Sequence, residues 1–266
     1  MEEPLQMQEP SPEAPPSTGM SLAGRLFNVF ATPGDVFQDV KTARASAANW
    51  VAPAVILIVV SWAAAVLIFS QDSIMHQFSE IVDQGIQKQV QSGRVTEQQA
   101  EQGRAVGEKW AVIIAKISSG IIPVLAGFGT PFVWGLFLWL VGAKVLKGDF
   151  PYMKAVEVIG LGNMIGVLET IVKTLLIVGL GSLYASPGLN LLVKDFDPQN
   201  TVHALLAIVN VMTIWVLIVR AIGLARLSGS SFAKAALWVF GIWAAYTGFF
   251  FALGQASKLF FKRFTG

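Results

Sequence analysis

Apolar residues in this 266-residue chain occur in five long blocks that are separated by polar segments. A helix needs about 20 mostly apolar residues to cross the hydrocarbon core of a bilayer, and each block is about that long or longer. The pattern therefore predicts an all-α fold, a polytopic helical bundle in the membrane. The five predicted transmembrane helices lie at about 50–69, 117–142, 155–180, 201–222 and 235–254.

The chain ends differ from these blocks. Residues 1–20 are rich in Pro and Glu, contain no Lys or Arg and have no apolar core. They predict a disordered tail rather than a secretory signal, which needs a basic start and an apolar segment. Residues 255–266 form a short tail after the last span.

Between the first tail and the first span, apolar residues recur at helical spacing in 21–49. The T-P-G-D sequence at 32–35 supplies a threonine suited to cap a helix and a proline suited to begin one. These residues predict two short amphipathic helices that lie on the cytoplasmic surface of the membrane. Three basic residues are expected at the lipid headgroups: Arg25, Lys41 and Arg44.

The segment 70–110 is polar but carries apolar residues at helical spacing, interrupted at Ser92-Gly93. It continues with T-E-Q-Q at 96–99, a capping-box pattern. We expect an extracytoplasmic helical hairpin whose second arm runs into the second span. Prolines and glycines in that span predict kinks and close helix contacts, and leave open a second span made of two half-helices that turn back.

Charge in the loops predicts the orientation. The loops 143–154 and 223–234 are short and basic, whereas 70–110 has four basic and six acidic residues. Because short loops rich in Lys and Arg face the cytoplasm, the N-terminus is expected inside. Five spans then put the C-terminal basic residues outside, against the same rule: Lys258, Lys262 and Arg263.

Composition agrees with a membrane protein and narrows the function. The chain is 54% hydrophobic and 14% charged, whereas soluble domains have about 25% charged residues. A net charge of +2 gives no reason to expect nucleic acid binding. The chain has no cysteine and two histidines, and it lacks nucleophile, phosphate-loop and metal motifs. We therefore expect no enzyme activity, no metal and no cofactor.

The third span carries polar residues within an apolar helix. Glu169 and Lys173 are four residues apart with the acid first, the favoured order for a helical ion pair. Gly162 and Gly166 fall on the same side at 100° per residue and predict close helix contact. The G-x-G-x-x-x-G pattern at 160–166 is one residue too long for a dinucleotide loop and follows no strand.

A candidate intramembrane polar site follows from this arrangement, formed by Glu169, Lys173, Asn210 and Asn163. Asn210 lies in the fourth span at a depth similar to Glu169, and we expect the two side chains to hydrogen-bond across the helices. The pair suits either a proton or ion site, as buried membrane charges often do, or a polar clasp that holds the bundle together. Glu157, near Lys154, is expected to be a solvated or paired charge at the interface.

Three sequence stretches resemble a known family. They are R-L-F-N-V-F-A-T-P-G-D-V-F from Arg25, W-x-x-P at Trp50 and K-G-D-F-P-Y-M-K-A-V-E-V-I-G-L from Lys147. Together they resemble prokaryotic members of the Yip family, the Ypt/Rab-interacting-protein domain, over about 25–254. The resemblance implies a five-span domain with a cytoplasmic N-terminus, in a bacterial cytoplasmic (inner) membrane. Eukaryotic relatives act in vesicle traffic and bind Rab GTPases, but their D-L-Y-G-P element is absent, so a GTPase partner stays open.

Two functions are consistent with these features. The first is a non-enzymatic membrane scaffold or organising protein, whose partners are the lipid bilayer and other membrane proteins or a second copy. It rests on the surface helices, the close-contact glycines and the lack of reactive clusters. The alternative is a small transporter or channel component that uses Glu169, Lys173 and Asn210. A wet cavity at Glu169 favours the second, and a dry bundle favours the first.

Overall fold

The computed structural model describes the backbone of residues 19–265 and the side chains as far as residue 257. The predicted disordered tail lies outside the described residues, except for its last two. The same holds for the C-terminal basic side chains that oppose the predicted orientation.

Along the described chain the helices are α1 (Leu22–Ala31), α2 (Pro33–Thr42), α3 (Ala48–Phe69), α4 (Asp72–Gln91), α5 (Glu97–Trp139), α6 (Tyr152–Leu180), α7 (Thr201–Ile208), α8 (Val211–Ser228) and α9 (Phe232–Thr265). A π-helical turn, Leu140–Val145, extends α5, and a 3-10 turn, Leu189–Leu192, precedes α7. Five helices are long and apolar enough to cross a membrane: α3, α5 with its π-helical turn, α6, α8 and α9. The predicted all-α, five-span bundle is confirmed.

Helix α6 is the centre of the bundle. It packs against α3, α5 and α8, and every residue from Lys154 to Ile165 is buried. The end of the bundle that carries α1 and α2 is the N-terminal face. The opposite end, the hairpin face, carries the α4–α5 hairpin, the 181–200 loop and α7. On that face α4 is joined to the loop because Gln77 Nε2 donates to the Gly181 carbonyl.

The hairpin has the predicted form. Thr96 caps α5 and exchanges hydrogen bonds with Gln99, as the capping-box pattern predicts. Arg104 Nε lies 2.7 Å from Asp83 Oδ1 and ties the two arms together. Helix α5 runs without interruption through Pro123 and Pro131, so the second span is one continuous helix and not two half-helices. At 1.5 Å per residue its length is about 64 Å, roughly twice the hydrocarbon core.

The fourth span differs from its prediction. The predicted helix at 201–222 is broken at Val209 and Asn210, and the long helix α8 begins only at Val211. The break arises because the 181–200 loop pairs with the backbone there: Leu189 N donates to the Val209 carbonyl at 3.1 Å and Val211 N to the Pro187 carbonyl at 3.1 Å. At the chain end, α9 continues to Thr265, so the predicted short tail extends this helix.

The two N-terminal helices are attached to the bundle and do not lie freely on a membrane surface. Their boundary falls at Thr32 and Pro33, as predicted, although the Thr32 side chain makes no capping bond. Their apolar side chains are completely buried: Val29, Val36, Phe37 and Val40. Arg25 is only 9% exposed, so its predicted position at the headgroups is wrong. Lys41 and Arg44 remain exposed.

Helices α3 and α6 come into close contact at a glycine outside the predicted pair. A Cβ on Gly160 would lie 2.4 Å from Trp50 Cβ, so only glycine lets α3 approach α6 this closely. At Gly162 the nearest side-chain atoms would be 3.9 Å away, and at Gly166 nothing lies within 4 Å. The helix is rotated so that Gly160 faces α3, whereas Gly162 faces Val219 and Arg220 of α8. Close packing through Gly162 and Gly166 stays a prediction.

Candidate functional site

The hydrogen bond expected between α6 and the fourth span is present. Asn210 Nδ2 donates to Glu169 Oε1 at 2.7 Å. The other end of the same amide is also bound, because Asn210 Oδ1 accepts from Met212 N at 2.8 Å. Asn210 is therefore the cap of α8 and not a residue within a continuous span. It connects the start of α8 to the outer half of α6.

Lys173 is close to this bond but does not take part in it. Within the described chain, no carboxylate oxygen lies within 4.0 Å of its ammonium, so the predicted ion pair with Glu169 does not form. The side chain is exposed. Its charge is available to another group at the hairpin face.

Two cavities adjoin these residues on either side of α6. One, of about 570 Å³, lies between α3, α5 and α6, and we name it the α3–α5–α6 cleft. The other, of about 410 Å³, lies between α6, the 181–200 loop and α7. Glu169, Lys173 and Leu183 line both cavities. The polar residues therefore lie between two spaces large enough for water or a small ligand.

Tyr184 and Asn190 line the second of these cavities. Asn190 Nδ2 donates to the Tyr184 carbonyl at 2.7 Å and holds the loop in place. Burial, and to a smaller degree the negative charge of Asp197, raise the pKa of Tyr184 above its ordinary value of 10. The phenol is neutral at physiological pH and offers a hydrogen-bond donor.

The other predicted polar residues do not join this site. Asn163 is buried between one and two helical turns before Glu169 and makes no hydrogen bond to any residue that the structure describes. The polar stripe expected on the fourth span is split, because His203 lies on α7 and its Nδ1 accepts from Asp197 N. Among the described residues no cluster of His, Asp and Glu could hold a metal ion.

Arg220 is the most unusual charge in the bundle. It lies in the middle of α8, is 8% exposed, and its guanidinium carbon is 5.2 Å from the centre of the Trp134 ring. It forms no ion pair and no hydrogen bond within the described residues, and its Nε is buried without a partner. The aromatic face supplies its main electrostatic partner.

A buried ionic network at the N-terminal face was not expected from the sequence. Arg25 Nε lies 2.7 Å from Asp39 Oδ2, and Arg25 Nη1 donates to Asn49 Oδ1 at 3.1 Å. Asn49 Nδ2 donates in turn to Glu157 Oε2, and Lys154 Nζ lies 3.4 Å from Glu157 Oε1 as an ion pair. The network joins α1, α2, α3 and α6.

Lys154 also fixes the end of α2. Its ammonium donates to the Val40 carbonyl at 2.6 Å and to the Ala43 carbonyl at 2.7 Å. Glu157 is 1% exposed, so it is paired as expected but it is not solvated. The sequence contained one sign of the network. Arg25 lies four residues before the apolar Val29 and so on the same face of the helix, the face that is buried.

An open cleft of about 790 Å³ lies beside this network, and we name it the N-terminal cleft. Its walls are the α1–α2 junction, with Thr32, Pro33, Gly34, Asp35, Gln38 and Lys41, and the α8–α9 turn, with Arg226, Gly229, Ser230 and Phe232. Lys41 Nζ donates to the Arg226 carbonyl at 2.9 Å and closes one end. The cleft presents charges of both signs on a fixed frame.

We expect Asn210→Ala to destabilise the protein by about 2 kcal/mol. The change removes a helix cap, which contributes about 1 kcal/mol, and a donor to a carboxylate. Thermal unfolding of detergent-solubilised protein, followed by far-ultraviolet circular dichroism, measures the loss. Asn200→Ala, which removes the cap of the short exposed helix α7, is the control and should lower the midpoint by less. Equal shifts of the unfolding midpoint in Asn210→Ala and Asn200→Ala contradict a stabilising role of the hydrogen bond between Asn210 and Glu169.

Comparison with known proteins gives one match. A family model described as the Yip1 domain matches residues 27–254, which include α2 to α8 and most of α9. Searches of curated proteins and of solved structures gave no match.

Proposed function

Because the chain belongs to the Yip1 domain family, we propose that it is a non-enzymatic membrane scaffold that binds other membrane proteins. The observation that carries this proposal is the attachment of α1 and α2 to the bundle. Two helices with amphipathic sequences are held by a buried ionic network, and they form one wall of the N-terminal cleft.

Rigidity of the cleft supports a binding role. Binding to a mobile surface loses affinity because loops and side chains must be ordered, and a preformed surface avoids that loss. Lys41, Asp35 and Arg226 offer charges of both signs to a polar segment of a partner. The cytoplasmic segments of membrane proteins, or of a second copy of this chain, are partners of this chemistry.

The proposed setting is the cytoplasmic membrane of a bacterium, with the N-terminal face in the cytoplasm. Basic residues lie in the helix ends and loops on this face, among them Lys144, Lys147 and Arg226, which agrees with the positive-inside rule. The hairpin face is then extracytoplasmic.

A site-specific crosslinking experiment tests the scaffold. The chain has no cysteine, so Gln38→Cys places one photocrosslinker in the N-terminal cleft. Ala45→Cys, exposed on the same face but outside the cleft, is the matched control. After illumination of native membranes, we expect one reproducible protein adduct from the Gln38 site and a yield at least fivefold lower from the control. Equal adducts at both sites contradict the proposal.

Glu169→Gln in the same experiment separates the scaffold from a transport function. The substitution removes a charge at the hairpin face and leaves the N-terminal cleft unchanged. Under our proposal the adduct from the Gln38 site persists at the same yield. Loss of the adduct in a folded Glu169→Gln protein indicates that the polar site controls the interaction.

A second candidate function is transport of a small solute or ion, favoured by the two cavities that meet at Glu169 and Lys173. The N-terminal half of α6 counts against it, because every residue from Ala155 to Ile165 is buried. Solute or proton flux in proteoliposomes that is altered by Glu169→Gln supports this candidate, and unchanged flux counts against it.

A further inference from the structure

The α3–α5–α6 cleft combines an apolar interior with a polar side. Its interior is lined by small and apolar side chains: Ala64, Ala65, Ile68, Ile122, Ile177 and Leu183. Its α3 residues extend from Ser61 to Phe69, the last residue of that helix, which is about 12 Å along the helix axis. The cleft is therefore an open, elongated space in the half of the bundle nearest the hairpin face.

Two ammonium groups are near this cleft, and neither has a carboxylate partner among the described residues. Lys173 lines it and forms no ion pair within the described residues. Lys116 Nζ lies 5.8 Å from the centre of the Phe69 ring, which lines the cleft at its outer end. Its ammonium likewise has no carboxylate within 4.0 Å among the residues described.

The carboxylate in the cleft is already engaged. Glu169 Oε1 accepts from Asn210, on the opposite side of α6. Ser118 and Ser119 also line the cleft, and the Ser119 hydroxyl donates to the Lys116 carbonyl at 2.8 Å. Pro123, which has no N–H, leaves the Ser119 carbonyl without its usual helical donor. The cleft thus has Lys173 on its wall, Lys116 near its outer end and several neutral polar groups beside an apolar space.

We propose that this cleft binds an anionic phospholipid from the leaflet on the hairpin side. One acyl chain lies against Ala65, Ile68 and Ile122, and the phosphate contacts Lys173 and Lys116. Lys173 lies about 10 Å below the end of α6, and a lysine at this depth extends its ammonium toward the headgroups. Each lysine near the phosphate is expected to strengthen binding about fivefold.

Photocrosslinking with lipids tests the proposal. The full chain is reconstituted in nanodiscs of phosphatidylcholine that contain a small fraction of phosphatidylglycerol with a photoactivatable acyl chain. Mass spectrometry then locates the adducts. We expect adducts at Ala65, Ile68 and Ile122 that exceed those at Val66, which faces away from the cleft and is 71% exposed. Unlabelled phosphatidylglycerol should displace the probe at a much lower fraction than added phosphatidylcholine.

Charge variants complete the test. Lys173→Gln and Lys116→Gln should each raise the fraction of phosphatidylglycerol needed for displacement about fivefold. Lys234→Gln, an exposed lysine at the other end of the bundle, should leave it unchanged. Ala65→Phe leaves both lysines in place but should fill the cleft, and we expect it to abolish the lipid adducts.

Three results would overturn the proposal. The first is equal labelling of the cleft by photoactivatable phosphatidylglycerol and photoactivatable phosphatidylcholine. The second is the same displacing fraction of phosphatidylglycerol in Lys173→Gln and in Lys234→Gln. The third is an equal yield of adducts at Ala65 and at Val66. A second copy of the chain could cover the cleft instead of a lipid. Disulfide-linked dimers of Ala65→Cys in place of lipid adducts would show this, and they also contradict the proposal. None of these results bears on the N-terminal cleft.

Discussion

Glu157→Gln is expected to destabilise the protein by about 3–5 kcal/mol, because it breaks an ion pair in the buried network of the N-terminal face. The glutamine keeps the size of the side chain and can still accept from Asn49. It removes the negative charge beside Lys154, which is 5% exposed. The loss has this magnitude because the remaining charge is left uncompensated in a medium of low polarity.

The loss is measured as unfolding in detergent, with intrinsic tryptophan fluorescence as the signal. Limited proteolysis in the α2–α3 linker should rise in parallel, because Lys154 also holds the end of α2. Glu169→Gln, a matched change in the same helix, retains an acceptor for Asn210 and should have an effect below about 1 kcal/mol. The double variant Lys154→Met, Glu157→Gln should recover part of the loss. A double variant that is less stable than Glu157→Gln contradicts this account.

Gly160→Ala is expected to have the second largest effect, about 3 kcal/mol. The new methyl group would lie 2.4 Å from Trp50 Cβ and 2.5 Å from Trp50 Cα, so the backbones of α3 and α6 must move apart. Overfilling a close contact of this kind typically destabilises by about 1–3 kcal/mol. Movement of α3 also strains the Asn49–Glu157 bond, which lies next to the contact.

The same substitution at Gly166 is the control. Beyond the local backbone of α6, no atom lies within 4 Å of the position that its Cβ would take. Alanine also favours a helix over glycine by up to about 1 kcal/mol. We expect Gly166→Ala to be neutral or slightly stabilising in the unfolding measurement. If Gly166→Ala lowers the free energy of unfolding more than Gly160→Ala does, the predicted pair, Gly162 and Gly166, forms the close helix contact of α6.

Features that depend on neighbouring residues could be predicted from the sequence. The number of spans follows from the lengths of apolar blocks, which local hydrophobicity determines. The capping box at Thr96 and the α1–α2 boundary at Pro33 follow from residues within one helical turn. The Asn210–Glu169 bond was also expected, because two polar residues at similar depth in adjacent spans tend to pair.

Features that depend on residues distant in the sequence could not be predicted. The run at 201–222 carries one sign of a break, Asn210, a residue type favoured as a helix cap. The break itself depends on backbone pairing with the 181–200 loop, which the run does not reveal. The rotation of α6, which turns Gly160 toward α3, depends on all of its neighbours at once. The position of Arg25 depends on three other helices, although its spacing from Val29 was a partial indication.

The guanidinium of Arg220 has a consequence for permeation. A fixed positive charge in the middle of α8, without an anion beside it in the described chain, repels cations that approach the centre of the bundle. At a separation of about 8 Å and an effective dielectric constant near 20, the repulsion is about 2 kcal/mol for a monovalent ion. Charged side chains of this kind act as electrostatic barriers in selective pores. A cation beside α8 therefore meets a barrier of about 2 kcal/mol that a neutral or anionic solute does not meet.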